Sequence, residues 1–173
     1  MVRTFVIVSI LFDGMRALLL LFVFSAQFGF AQDELLDNVR KNIPLVFKTD
    51  TVCFAMFRAF ESTDISGNNT LLGYKGAVEL GMARHDSNPF KKMSYFSDGK
   101  KHLEEAIDKD HDNIELRFLR LTIQVHLPTF LGYSENIESD KAFVQNHLHE
   151  AKSEAFKTRV KNFIAHAEEQ GKL

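Results

Sequence analysis

A single cysteine, Cys53, stands in a chain of 173 residues, so no intrachain disulfide can form. It lies in the apolar run "TVCFAMF", where a free thiol behaves as a small buried hydrophobe. An excess of either charge is also missing. The formal net charge is −2, which fits neither the basic stripe of a nucleic-acid binder nor an acidic tail. The strings HExxH, CxxC, GxSxG and the P-loop are absent, so no metal, cofactor or nucleophile is signalled and an enzyme is not expected. Strand signals are sparse. Prolines number three, at positions 44, 89 and 128, and each reads as helix punctuation.

Hydrophobic residues make up 45% of the chain, and the longest apolar stretch is at its start. Counted from Met1, that stretch is broken by Asp13, Gly14 and Arg16. Counted from Met15 it is regular: Arg16 is the basic start, Ala17 to Phe24 the apolar core, and Gly29 and Ala31 the small residues before a cut. A cleaved signal peptide over residues 1–31 is therefore expected, with translation starting at Met15, residues 1–14 spurious, and cleavage between Ala31 and Gln32. The apolar run after Arg16 is shorter than the ~20 residues of a spanning helix, so no stable membrane anchor should survive. The protein is then periplasmic or secreted, as one domain over 32–173.

Helical period and helix punctuation recur through that domain. Helices are expected over Asp33 to Asn42, ended by Pro44, and over Phe47 to Glu61, with Phe54, Phe57 and Phe60 inward. A polar loop follows at 62–69. The next helices run from Thr70 to His85 and from Pro89, capped by Asn88, to Lys109, the latter with Met93, Phe96, Leu103, Ala106 and Ile107 inward. A fifth starts after Asp112 and stops at Pro128. Ile114, Phe118, Leu121 and Val125 form one stripe on it, and Leu116, Leu119, Ile123 and Leu127 a second. A helix apolar on two sides is buried between others, so this one should be central. Two more are expected at 136–150 and 153–169, with Gly171 beyond the last. The fold class is all-α, about seven helices in antiparallel pairs.

Asp108, Asp110 and Asp112 have the spacing that opens a calcium loop. The sharp-turn glycine is replaced by Asn113 and the closing glutamate by Leu119, so calcium is rejected. Asp112 with Glu115 instead reads as a capping box. The seven histidines include His147-x-His149, which are about 200° apart on a helix and cannot hold one ion together. Glu104 and Glu105 read as a solvated helix edge. The least ordinary feature is the polar line Arg117, Arg120 and Gln124 on the fifth helix. Two arginines one turn apart can clamp a carboxylate. With Lys75, Tyr74 and Tyr133 they could line a groove for an acidic peptide terminus. Alternatively they pair with Glu115, Glu79 or Asp140 and seal a buried helix.

Small residues at helix contacts resemble tetratricopeptide-type repeats. Gly99, Leu103 and Ala106 match the small, bulky and small positions of that family's second helix, and His111 stands where its turn proline would be. The resemblance covers residues 95–114, about half of one repeat. The stretch "LLGYKGA" (71–77) lies about fourteen residues too far upstream to serve as the first helix. The longer string "GYKGA…NPF…YF…GKK.LEEAI…NIELRFLRLTIQ…P.FLGY" resembles an uncharacterised family of small secreted Bacteroidetes proteins. It implies a helical periplasmic protein, a TPR-like, α-solenoid-like single domain, and no known activity. The function so expected is a non-enzymatic interaction module with a protein or peptide partner and no nucleic acid. The alternative is a small-ligand binder or enzyme with a polar cleft around Arg117, Arg120 and Tyr133.

Overall fold

A computed structural model describes residues 30–173. Those residues form seven α-helices and no strand. They are α1 (30–46), α2 (Asp50–Ser62), α3 (Asn69–His85), α4 (Pro89–Lys109), α5 (Ile114–His126), α6 (Ile137–His147) and α7 (Glu154–Glu169). Short 3-10 turns at Thr129–Leu131 and Leu148–Glu150 follow α5 and α6. The expected leader up to residue 29 lies outside the described residues. The expected cut between Ala31 and Gln32 falls within α1, and the Gln32 side chain donates to the carbonyls of Asp64 and Ser66.

Most helix starts have a local cause. Asn68, Asn88, Asn113 and Ser153 each turn a side-chain oxygen onto backbone N–H groups of the first turn of α3, α4, α5 and α7. The cap of α5 is thus Asn113 and not Asp112. Glu115 does not close a capping box, because its carboxylate is bound elsewhere. The first helix also runs past its expected stop, with Pro44 inside its last turn. Proline has no N–H, so the Arg40 carbonyl loses its partner within the helix. Arg159 of α7 replaces it, donating from Nη1 at 3.4 Å. Two backbone bonds to the Leu45 carbonyl then turn the chain, and α2 starts at Asp50, later than the sequence pattern suggests.

Among helices α2 to α7 the contact between α3 and α4 is the most extensive. The two are joined by a three-residue turn and run antiparallel. Gly76 and Gly99 allow this approach. A Cβ on Gly76 would lie 2.5 Å from the Gly99 carbonyl oxygen, and one on Gly99 would lie 2.7 Å from that of Gly76. On its other sides α3 meets α2 and α5. From Leu71 to Met82 only Leu72 and Lys75 are not buried, so α3 is at least as central as α5. Along α1 and α3 the contacts run in the same direction, Gln32 with Asn68 and Val46 with Gly81.

The apolar interior is in two parts, and α5 is the wall between them. Leu116, Leu119, Ile123 and Leu127 face the larger core, built with α1 to α4. Phe118 and Ile114 face the smaller one, with Val144, Val160 and Ile164 from α6 and α7. One stripe of α5 thus serves the larger core, and the first half of the other, Ile114 and Phe118, serves the smaller. Phe118 meets the Phe156 and Phe163 rings edge-on at 5.6 and 5.5 Å. Two residues expected inside are outside. Phe54 is exposed because Cys53 and Met56 take the inner face of α2, and Met93 is exposed although Phe96 packs inward as expected, with Tyr95 beside it.

Candidate functional site

The polar line of α5 faces α6, and the two helices are tied by a ladder of polar contacts. The rungs run antiparallel: Gln124 to Asn136, Arg120 to Asp140, and Arg117 to Asp140 and the Phe143 ring. Asp140 is fully buried and Arg120 is 3% exposed. Arg120 grips Asp140 with both sides of its fork, Nε to Oδ2 at 2.7 Å and Nη2 to Oδ1 at 2.9 Å. Its Nη1 donates to Glu104 of α4 at 2.5 Å. Arg117 adds a bond from Nη1 to Asp140 at 2.9 Å and another from Nε to the His111 carbonyl at 3.2 Å. The Tyr133 hydroxyl donates to the second oxygen of Glu104.

Two arginines, two carboxylates and one phenol thus form a closed group joining α4, α5, α6 and the segment after α5. Burial lowers the affinity of Arg120 for its proton, but the bonds and charges of Asp140 and Glu104 together outweigh it, and the pKa is raised. Burial, and then the bond to Glu104, push the Tyr133 hydroxyl up as well. Neither group can act as a base near neutral pH. A carboxylate ligand would have to displace Asp140 or Glu104 to reach the Arg120 fork. The polar atom left over is Gln124 Oε1, which is buried without a partner.

The remaining sequence candidates lie in separate groups. The Tyr74 hydroxyl donates to Glu115 at 2.6 Å, and Arg40 holds the same carboxylate through Nε at 2.8 Å and Nη2 at 2.7 Å. Burial alone would raise the pKa of Glu115, but the bonds from Arg40 and Tyr74 together hold it below its usual value. Lys75 is near Glu79 at 4.0 Å, and His102 Nδ1 is bonded to Glu79 at 2.6 Å. Burial is the leading cause of the raised Glu79 pKa. Arg117, Arg120, Gln124 and Tyr133 therefore belong together, whereas Tyr74 and Lys75 do not join them.

Pattern reading placed Glu104 in solvent, but it is the bridge between Arg120 and Tyr133. Asp140 carried a stronger signal. It stands on the line Ile137, Asp140, Val144 and Leu148, an acid inside the inward stripe of α6. The calcium-like aspartates are occupied locally or exposed: Asp110 accepts from the Asn113 side chain, and Asp108 and Asp112 face water. No cluster of three metal-ligating side chains occurs among the described residues. Burial pushes the Cys53 thiol up to about 12, so it is a poor nucleophile. Comparison with protein-family models, with characterised proteins and with solved structures finds no match to this chain.

Proposed function

We propose that the chain is a non-enzymatic helical module of the periplasm or the secreted fraction, released by cleavage between Ala31 and Gln32, that binds a protein or peptide partner. Its helices are read as a degenerate TPR-like arrangement, related to the secreted Bacteroidetes family it resembles. One observation carries the reading. Gly99, Leu103 and Ala106, the repeat-like positions, all face the preceding helix, where Gly73 and Gly76 oppose them. The surplus of about fourteen residues is no separate insertion, because only Asp86, Ser87 and Asn88 separate α3 from α4. It lengthens both helices beyond their closest contact. Helix-pair folds of this type present extended surfaces to partners, a step made by analogy of fold.

The charged groups support this reading from the other side. Each cluster described above ends on residues of the chain itself, so these charges hold helices together. The small-ligand or enzyme alternative around Arg117, Arg120 and Tyr133 needs a ligand that opens the Asp140 clamp. Crosslinking in intact cells followed by purification separates the two. A stoichiometric protein partner supports the module. A co-purifying small molecule, lost in Arg120→Met, supports the alternative. N-terminal peptides from the same sample test processing: any peptide from Val2–Asp13 rules out the Met15 start.

A further inference from the structure

Two of the most exposed large apolar side chains among the described residues stand on the first turn and a half of α4. Phe90 retains 85% of its surface and Met93 71%. Phe90 and Met93 are three residues apart and so share a face of the helix. The helix start does not need these residues, since Asn88 and Pro89 already supply the cap.

The unpaired charges beside them are mostly positive. Arg84 at the end of α3 and Lys91 and Lys92 at the start of α4 are exposed. No ion pair among the described residues involves any of the three. Two acids in the same stretch are held locally: Asp86 accepts from the backbone of Asn88, and Asp98 accepts from Ser94. A groove that holds a peptide covers one side of its apolar lining. Side chains that keep most of their surface project instead, and projecting apolar groups with unpaired cations in the adjoining turns suit a fluid anionic surface.

We propose that this end of the α3–α4 pair docks on an anionic lipid surface, with Phe90 and Met93 entering the acyl boundary and Arg84, Lys91 and Lys92 meeting headgroup phosphates. The contact is peripheral and reversible, since no described helix is long and apolar enough to cross a membrane. Apolar insertion and juxtamembrane lysines act together, as neither alone holds a protein firmly. This inference goes beyond the module reading and does not depend on a protein partner being found.

The full chain also carries the apolar N-terminal stretch, so the test must report from α4 itself. Cys53 is buried and unreactive, which leaves a new Ser94→Cys open to selective labelling with an environment-sensitive fluorophore. A label at Asp108→Cys, about 21 Å further along the same helix, is the control. Vesicles of phosphatidylglycerol with phosphatidylcholine should shift the Ser94 label to the blue and leave the Asp108 label unchanged. Pure phosphatidylcholine should leave both labels unchanged. Vesicle affinity at the Ser94 label should fall about tenfold in Phe90→Ser/Met93→Ser and in Lys91→Glu/Lys92→Glu, and similarly in roughly 0.5 M salt. The two pairs are on the surface, so unfolding does not confuse the result. The proposal is overturned if anionic vesicles leave the Ser94 label unchanged or if both labels respond alike. It is overturned equally by a shift that needs no vesicles and grows with protein concentration, which would assign the face to a second copy of the chain.

Discussion

Replacing Asp140 with alanine should remove a large part of the stability of this protein. Asp140 is fully buried and accepts three charged hydrogen bonds, two from Arg120 and one from Arg117. The arginines would be affected differently. The Arg117 side chain is 22% exposed, so it can rehydrate and still hold the His111 carbonyl. Arg120 is 3% exposed and would retain only Glu104. Breaking one side of a buried pair costs about 3–5 kcal/mol, much of it from the charge left behind. Retention of Glu104 argues for the lower end, about 3 kcal/mol, against a total of roughly 5–15 kcal/mol for a domain. Urea unfolding measures this as a fall in midpoint at constant slope. The double variant Arg120→Met/Asp140→Leu removes both charges together and should be more stable than Asp140→Ala alone. A loss below about 1 kcal/mol in Asp140→Ala would refute the reasoning, because it would mean that the Arg120 fork is not committed to the fold.

Further outcomes test other parts of the structure. Glu115 has a depressed folded pKa, so its contribution is present above its unfolded value and is lost as pH falls through the folded one. Glu115→Gln should therefore destabilise at neutral pH and cost progressively less in acid, as read by thermal melts across pH. Glu79 has the opposite sign: its folded pKa is raised, its contribution is present in acid and is lost as pH rises. Glu79→Gln, which can still accept from His102, should match or exceed the parent at pH 7 and show no gain in acid. Gly76→Ala should cost about 1–3 kcal/mol in urea unfolding, although alanine is the better helix former, because its Cβ meets the α4 backbone. The Cys53 thiol should resist a thiol reagent at pH 8 in the native protein and react at once in denaturant.

Helix number and most helix starts were legible because their causes are local. Asn88 before Pro89 both caps and begins a helix, whatever that helix packs against. The two stripes of α5 were legible for the same reason, since a 3.6-residue period is a property of the chain. Where local rules failed, a distant residue had intervened. Pro44 should have ended α1, but Arg159 satisfies the carbonyl that proline leaves free. Asp112 was the expected cap, but Asn113 provides the cap while Arg40 and Tyr74, from α1 and α3, claim the Glu115 carboxylate. Met93 has the spacing of an inward residue, yet Gly99, Leu103 and Ala106 orient α4 so that Met93 faces water.

The candidate site divides along the same line. Arg117, Arg120 and Gln124 could be grouped from the sequence, because three- and four-residue spacings place them on one face of one helix. Of their partners, Asp140 was one of three acids that could be named but not chosen from the sequence, and Glu104 was missed, since they lie 20 residues beyond Arg120 and 16 before it. The amino-acid order alone determined the helices, their polar and apolar faces, and the small residues that let α3 and α4 approach. Tertiary packing decided which charges meet, and so whether a pair of arginines waits for a ligand or holds three helices together. That decision is tertiary because a buried charge takes whichever counter-charge the packed helices bring within hydrogen-bonding distance.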